Sequence, residues 1–336
     1  MRLFICLSLV IIFFSCHSND NTPDVSNISI KLSTKRFEKA LFTLDSSNLY
    51  KQLDPLIATY PSFGENFMNT ILSCDPRWSA DSTANYVKGF ISAYRTLYDT
   101  TEKIFEDFSP YEKEIKNGVQ LLKYYFPQYK APETIITYIG PLDGYGDILA
   151  EDAFIVGLQH HLGKNATFYQ STWLQETYPK YITDRFEPEY ISINCMKNIA
   201  IDLYPEKKED AVLASQMIEK GKVLFFLQKL LPEKKEYLLI GYSEKQLNEC
   251  YQHENSIWNL FIQNELLQNN DYNIIKIYLG ESPKTQELGE SSPGNIGAFV
   301  GWQIVKKYMS KNPKTSLKEL MEMNDEVLLE KAKYKP

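Results

Sequence analysis

The stretch TIITYIGPLDGYGDILAEDAFIVGLQHH, Thr134 to His161, decides the fold class. Its flanks, TIITYIG (Thr134–Gly140) and ILAEDAFIVGLQ (Ile148–Gln159), are β-branched and aromatic, the composition that suits a pleated, half-buried surface. Between them PLDGYGD carries a proline, two glycines and two aspartates, residues that make turns. The pattern predicts a hairpin or two neighbouring strands of a small sheet.

Almost everything else has a helical period. From Ala84 onward, Tyr86, Phe90, Ile91, Tyr94, Leu97, Tyr98, Ile104, Phe105 and Phe108 recur three or four residues apart. A second helix over Tyr111–Tyr125 is stopped by Pro127. After Phe168, helices are expected over Tyr178–Arg185, Pro188–Leu203, Glu209–Leu231, Glu244–Gln268, Asp271–Leu279, Ile296–Ser310, Ser316–Met323 and Asn324–Lys333. Ser243 with Gln246, and Ser316 with Glu319, have the spacing of capping boxes, in which hydroxyl and acceptor side chain satisfy orphan N–H groups. Near the N-terminus SIKLSTKRFEKALFTLD, Ser29–Asp45, reads as a strand entering a short helix. Long helices, one small sheet and no regular strand–helix alternation give an α+β fold, predominantly α-helical, with a small β-sheet.

The chain opens with Arg2 and an apolar run from Leu3 to Phe14, too short for a span of about 20 residues but of the length of a signal-peptide core. Ser15 and Cys16 then stand where a lipoprotein signal is cut, with Phe13 at the position usually held by Leu, Val or Ile. Residues 1–15 are therefore expected to be a lipoprotein signal peptide, Cys16 the lipid-attachment residue, 16–27 a flexible polar tether, and 28–336 a single globular domain. A net charge of −7 and a pI near 5.4 exclude a basic nucleic-acid face, and a hydrophobic fraction of 43% is that of a chain that folds. Beyond Cys6 and Cys16 there are Cys74, Cys195 and Cys250, without a CxxC spacing, and buried free thiols are expected.

No catalytic, cofactor-binding or metal-binding residue is assigned. HENSI, His253–Ile257, lacks the second histidine of HExxH, because Ile257 stands in its place. His160 and His161, at the end of a strand, should point to opposite faces and read as a surface or half-buried pair. The acidic run Asp143, Asp147, Glu151, Asp152 lacks EF-hand order, and Gly144 and Gly146 serve the turn. Gly297, Ala298 and Gly301 form a small-residue face that lets another helix approach closely.

The segments Met217–Leu267, ESSPGNIGAFVGWQIVKKYMSKNP (Glu290–Pro313) and the terminal KAKYKP resemble, together with the lipobox, the GldB-type gliding-motility lipoproteins of Bacteroidota. The resemblance is strongest from about Phe154 to Pro336. It implies a non-enzymatic envelope protein, anchored to the inner or outer membrane through its lipid; HSND after Cys16 lacks a strong acidic run, so the body is expected to face the periplasm. Its implied partners are other envelope proteins of the gliding and type IX secretion machinery, and it implies no cofactor. A fainter resemblance is to gluzincin-like metallopeptidases, and implies a degenerate zincin-like core. Asn194, Cys195 and Asn198 would stand on the helix that carries HExxH there, and Glu219 on the helix of the ligand glutamate. Peptide binding, residual zinc-peptidase activity and glycan or nutrient binding by the lipoprotein are the alternative functions.

Overall fold

The structure is a computed structural model and describes residues 22–205 and 211–336. The signal segment and Cys16 lie outside the described residues, as do Glu209 and Asp210 of the helix expected from Glu209. The sheet has four strands, β1 (Ser33–Arg36), β2 (Thr134–Tyr138), β3 (Ile148–Leu149) and β4 (Ala153–Gly157), in the order β1-β2-β4-β3. β2 is parallel to β1, with Ser33 opposite Thr134, and parallel to β4, with Thr134 opposite Ala153 and Tyr138 opposite Gly157. Parallel partners need a long crossover, and the helical run from Phe37 to Tyr125 provides the one between β1 and β2. Every residue of β4 is buried, as expected of a strand covered on both faces.

The two expected strands are thus neighbours but not a hairpin. ILAEDAFIVGLQ splits instead: Ile148 and Leu149 turn back antiparallel onto Ile155 and Phe154, with Glu151 and Asp152 exposed at the bend. Acidic side chains at a tight reversal stay solvated while the apolar ends enter the sheet.

The helices follow the apolar spacing closely. Ala80–Ala93 and Arg95–Ile104 cover the first periodic run, Ser109–Tyr125 is the second expected helix, and Tyr190–Leu203, Leu213–Leu230 and Ile296–Lys311 form the inner helices of the C-terminal part. Both capping boxes are formed, Ser243 and Ser316 each accepting from the N–H three residues on. The run Glu244–Gln268 is not one helix: it breaks at His253 (φ −110°, ψ 19°) into Glu244–Gln252, Glu254–Gln263 and a short turn at Leu266–Gln268. Cys250 before the break and Ile257 after it are both buried in the core.

Helices 213–230 and 296–311 cross at contact distance. A Cβ placed on Gly301 would stand 1.7 Å from the Met217 carbonyl oxygen, and one on Gly221 would stand 2.3 Å from the Gly301 carbonyl carbon. The two backbones touch, so no side chain fits at either position. The small face of Gly297, Ala298 and Gly301 therefore serves packing, and Phe299, Trp302 and Ile304 beside it are fully buried. At the N-terminal end, Gln120 donates to the carbonyls of Val25 (3.3 Å) and Ile28 (2.8 Å), tying the chain to helix 109–125 from Val25 onward. No helix among the described residues is long and apolar enough to cross a membrane.

Candidate functional site

The acidic turn, the histidine pair and helix 190–203 meet at one place, around Asp147. Its side chain is 4% exposed. Oδ1 accepts from the Gly157 N–H at 3.0 Å, and Oδ2 accepts from Asn194 Nδ2 at 2.7 Å and lies 2.9 Å from His161 Nε2. The Asp147 carbonyl accepts from Asn198 Nδ2 at 3.1 Å. Asn194 and Asn198 are one helical turn apart and so share a face, and both spend their amide N–H on this one aspartate.

The proton positions follow from the partners. His161 Nδ1 lies 3.0 Å from the Glu187 carbonyl, which can only accept, so Nδ1 carries a proton. Nε2 faces a carboxylate oxygen, and the pair is read as imidazolium and carboxylate. Burial alone would push the His161 imidazole down, but the Asp147 charge and hydrogen bond raise it above its usual value. Burial likewise works to raise Asp147, and His161, Asn194 and the Gly157 N–H hold it below the usual carboxylate value. His160 differs. Burial lowers it, its Nε2 donates to the Leu142 carbonyl at 2.8 Å, and its ring stacks on Phe186 with centroids 4.5 Å apart.

Around this pair, the turn Pro141–Asp147 is held by side-chain donors. Tyr178 donates to the Gly144 carbonyl at 3.2 Å, Gln159 Nε2 to that of Tyr145 at 2.7 Å, and the Tyr138 hydroxyl lies 2.6 Å from Tyr145 O and 2.8 Å from Gly146 O. A Cβ on Gly157 would stand 2.9 Å from Gln159 Nε2 and 3.1 Å from the Gly146 carbonyl oxygen, so the turn packs directly against this glycine. The arrangement is a closed polar knot in which each donor already has an acceptor.

Such a knot does not fit a metal ion. A metal needs free lone pairs, whereas Asn194 and Asn198 present N–H groups, both His161 nitrogens face oxygens, and the Asp147 oxygens are already occupied. Cys195, on the same helix, is buried, and burial together with the Asp147 charge pushes its thiol well above its usual value. Glu219 is part-buried on helix 213–230. Among the described residues no group of three or more His, Cys, Asp or Glu is placed to hold a metal.

The histidine pair is buried, not half-exposed. A short 3-10 turn over Leu158–His160 follows β4, so the alternation of strand faces ends before the pair and both rings turn inward. His253 is exposed at its helix break, apart from this knot, and Ile257 is buried. Asp143 is exposed, and Asp152 accepts from Ser62. Cys74, Cys195 and Cys250 are free and buried. Among exposed aromatics, Trp78 and Tyr86 meet edge to face at 5.3 Å, which is not the flat platform on which a sugar ring stacks. The roles of Tyr138, Gln159 and Tyr178 had no signal in the sequence, because the turn that they grip is brought to them by the parallel pairing.

No curated protein and no solved structure is similar enough to match the chain. Nothing in those comparisons supports the metallopeptidase resemblance. A family model described as gliding motility protein GldB matches residues 18–336, which takes in the sheet, the Asp147 knot and the crossed helices together. On that match the chain belongs to the GldB family of gliding motility proteins.

Proposed function

We propose that this chain is a non-enzymatic lipoprotein of the cell envelope, held at a membrane through Cys16, which supports the gliding and type IX secretion machinery through protein contacts. One observation carries the non-enzymatic reading. The polar centre of the body, where a hydrolase would keep an open nucleophile or an unfilled ligand position, is saturated by its own side chains. The family match supports the motility role, and the apolar leader ending in Ser15-Cys16 supports the anchor. Several acyl chains on one cysteine hold a soluble body far more durably than a single chain would. The body would face the periplasm, since HSND after Cys16 has no strong acidic run of the kind associated with surface display.

The test is crosslinking and affinity capture of the anchored protein from native envelopes, combined with mass spectrometry of its N-terminal peptide. Acylated Cys16 and recovery of envelope machinery proteins are expected. An unmodified Cys16, or peptidase activity of the purified chain that is lost in Asp147→Asn, would overturn the reading.

A further inference from the structure

The chain enters the fold on one face of helix 109–125. Lys113, Lys116, Gln120 and Tyr124 recur three or four residues apart and so share an outer stripe of this helix, with Lys123 at its border. Ile115, Val119 and Leu122 mark the opposite, buried face. Gln120, in the middle of the stripe, is the residue that grips the carbonyls of Val25 and Ile28. The root of the N-terminal segment therefore lies among these side chains.

The stripe is basic and aromatic, and its charge is unspent. Lys113 and Tyr124 are exposed, Tyr124 by 52%, and Lys116 and Lys123 are half-buried. Lys113 and Lys116 have no carboxylate within ion-pair distance among the described residues, and the Lys123 ammonium meets a carbonyl, that of Tyr129. The carboxylates of the same helix are turned to its flanks. Glu112 accepts from the Thr34 hydroxyl at 2.7 Å, and Glu114 accepts from the Ser192 hydroxyl at 2.9 Å and pairs with Lys234 at 2.7 Å. Solvation alone accounts for lysines on a helix face, but not for the chain entering the body among them.

The place of entry decides what this face meets. Nine residues separate Cys16 from Val25, and a chain of that length reaches at most about 30 Å. A body held at Cys16 keeps Val25 and the surrounding stripe within that reach of the bilayer, whereas its far side is free to turn away. We propose that the stripe docks on anionic phospholipid headgroups of the membrane that holds the anchor, with Lys113, Lys116 and Lys123 at the phosphates and Tyr124 at headgroup level. The inference rests on the anchor proposed above and adds an electrostatic contact to it. A lysine beside an anionic leaflet is worth about fivefold in occupancy, so three give about a hundredfold. That is too little to draw a free body from solution, but a tether supplies the local concentration that makes it sufficient. Tyrosine, with an apolar ring and a polar hydroxyl, suits the membrane interface. Asp24, exposed beside the root, opposes the attraction, and the three lysines outweigh it. The net charge of −7 leaves the remainder of the body repelled by the same surface, which selects this orientation.

The test uses the mature chain with an N-terminal hexahistidine tag, held on vesicles that contain a nickel-chelating lipid. The vesicles are otherwise phosphatidylcholine, or equal parts phosphatidylcholine and phosphatidylglycerol. Reductive methylation with formaldehyde, a neutral reagent, is read lysine by lysine by mass spectrometry. On the anionic vesicles Lys113 and Lys116 should react at least threefold more slowly than on the neutral ones, and Lys245 and Lys318, exposed on other helices, should not change. Salt at about 1 M, where screening acts within about 3 Å, should abolish the difference. In Lys113→Gln/Lys116→Gln the slowing at Lys123 should be lost, and in Lys245→Gln/Lys318→Gln it should remain. No slowing at Lys113 and Lys116, equal slowing on both vesicles, or equal slowing at Lys245 and Lys318 would overturn the inference. Slowing in native envelopes but not on the anionic vesicles would also overturn it, and would assign the face to a protein partner. The chelating lipid supplies the tether, so none of these outcomes depends on acylation of Cys16, and the anchor stands or falls by its own mass spectrum.

Discussion

Two regions of the molecule bring distant segments together by opposite means. At the crossing of helices 213–230 and 296–311, the chain removes side chains: Gly221 and Gly301 let the backbones touch, and the gain is dispersion and apolar burial. At the Asp147 knot it adds side chains, gathering a carboxylate, an imidazolium and two amides from the turn, the end of β4 and helix 190–203. The crossing tolerates no extra atom, and the knot tolerates no missing one. A buried charge pair yields little net stability against an apolar filling but fixes one arrangement, since any slip leaves a charge unpartnered.

The crossing should be the more fragile. Gly301→Leu would force the helices apart along their whole contact, and a loss of about 4–5 kcal/mol or more is expected, the tail of single-substitution effects. Urea unfolding followed by circular dichroism measures it, and a loss below about 1 kcal/mol would mean that the helices are not in backbone contact. Asp147→Ala should come next, at about 3–5 kcal/mol, because His161 is left buried without its counter-charge. Asn194→Ala removes one of three bonds to the same carboxylate and should cost less, about 1–3 kcal/mol. Should Asn194→Ala match Asp147→Ala in cost, the helix amide and not the ion pair would be the knot's main support.

The pH dependence sharpens the same comparison. His161 is raised in the folded state, so its contribution is fully present below the unfolded imidazole value near 6.5 and fades as pH rises through the higher folded value. Asp147 is lowered, so its contribution is present above the unfolded carboxylate value near 3.9 and fades as pH falls through the lower folded value. The stability gap between the native chain and Asp147→Asn/His161→Gln should be flat from about pH 4 to 6.5 and shrink on both sides. The gap between the native chain and Gly301→Leu should show no such dependence. The smallest effect is expected at Gly89, an exposed helix position with nothing within 4 Å of an added Cβ, where Gly89→Ala should stabilise by about 0.5–1 kcal/mol.

The contrast also explains what the sequence could tell. Small residues spaced along one helix face announce a close crossing by themselves, and the apolar period of Tyr86, Phe90 and Tyr94 announces a helix, because both signals are local. The strand segments were equally legible, but their parallel pairing was not, since alternation says nothing about which strand lies beside which. The break at His253 carries neither proline nor glycine, so no local signal marks it. Asn194 and Asn198 stand out in the sequence only through the metallopeptidase resemblance. Their actual work, holding Asp147, is set by the turn Pro141–Asp147 folding back over helix 190–203, which no spacing within that helix encodes. His160 and His161 are buried for a similar reason, because a turn of 3-10 helix from Leu158 ends the strand alternation.

The polar heart of this protein is closed upon itself, which leaves the surface for function. Nitrogen-15 NMR of the histidine-labelled chain at pH 7, with and without added zinc, tests it most directly. One of the four histidines should carry protons on both ring nitrogens, lose that signature in Asp147→Asn, and ignore zinc. A neutral His161 with a free Nε2 lone pair that shifts on adding one equivalent of zinc would contradict the account.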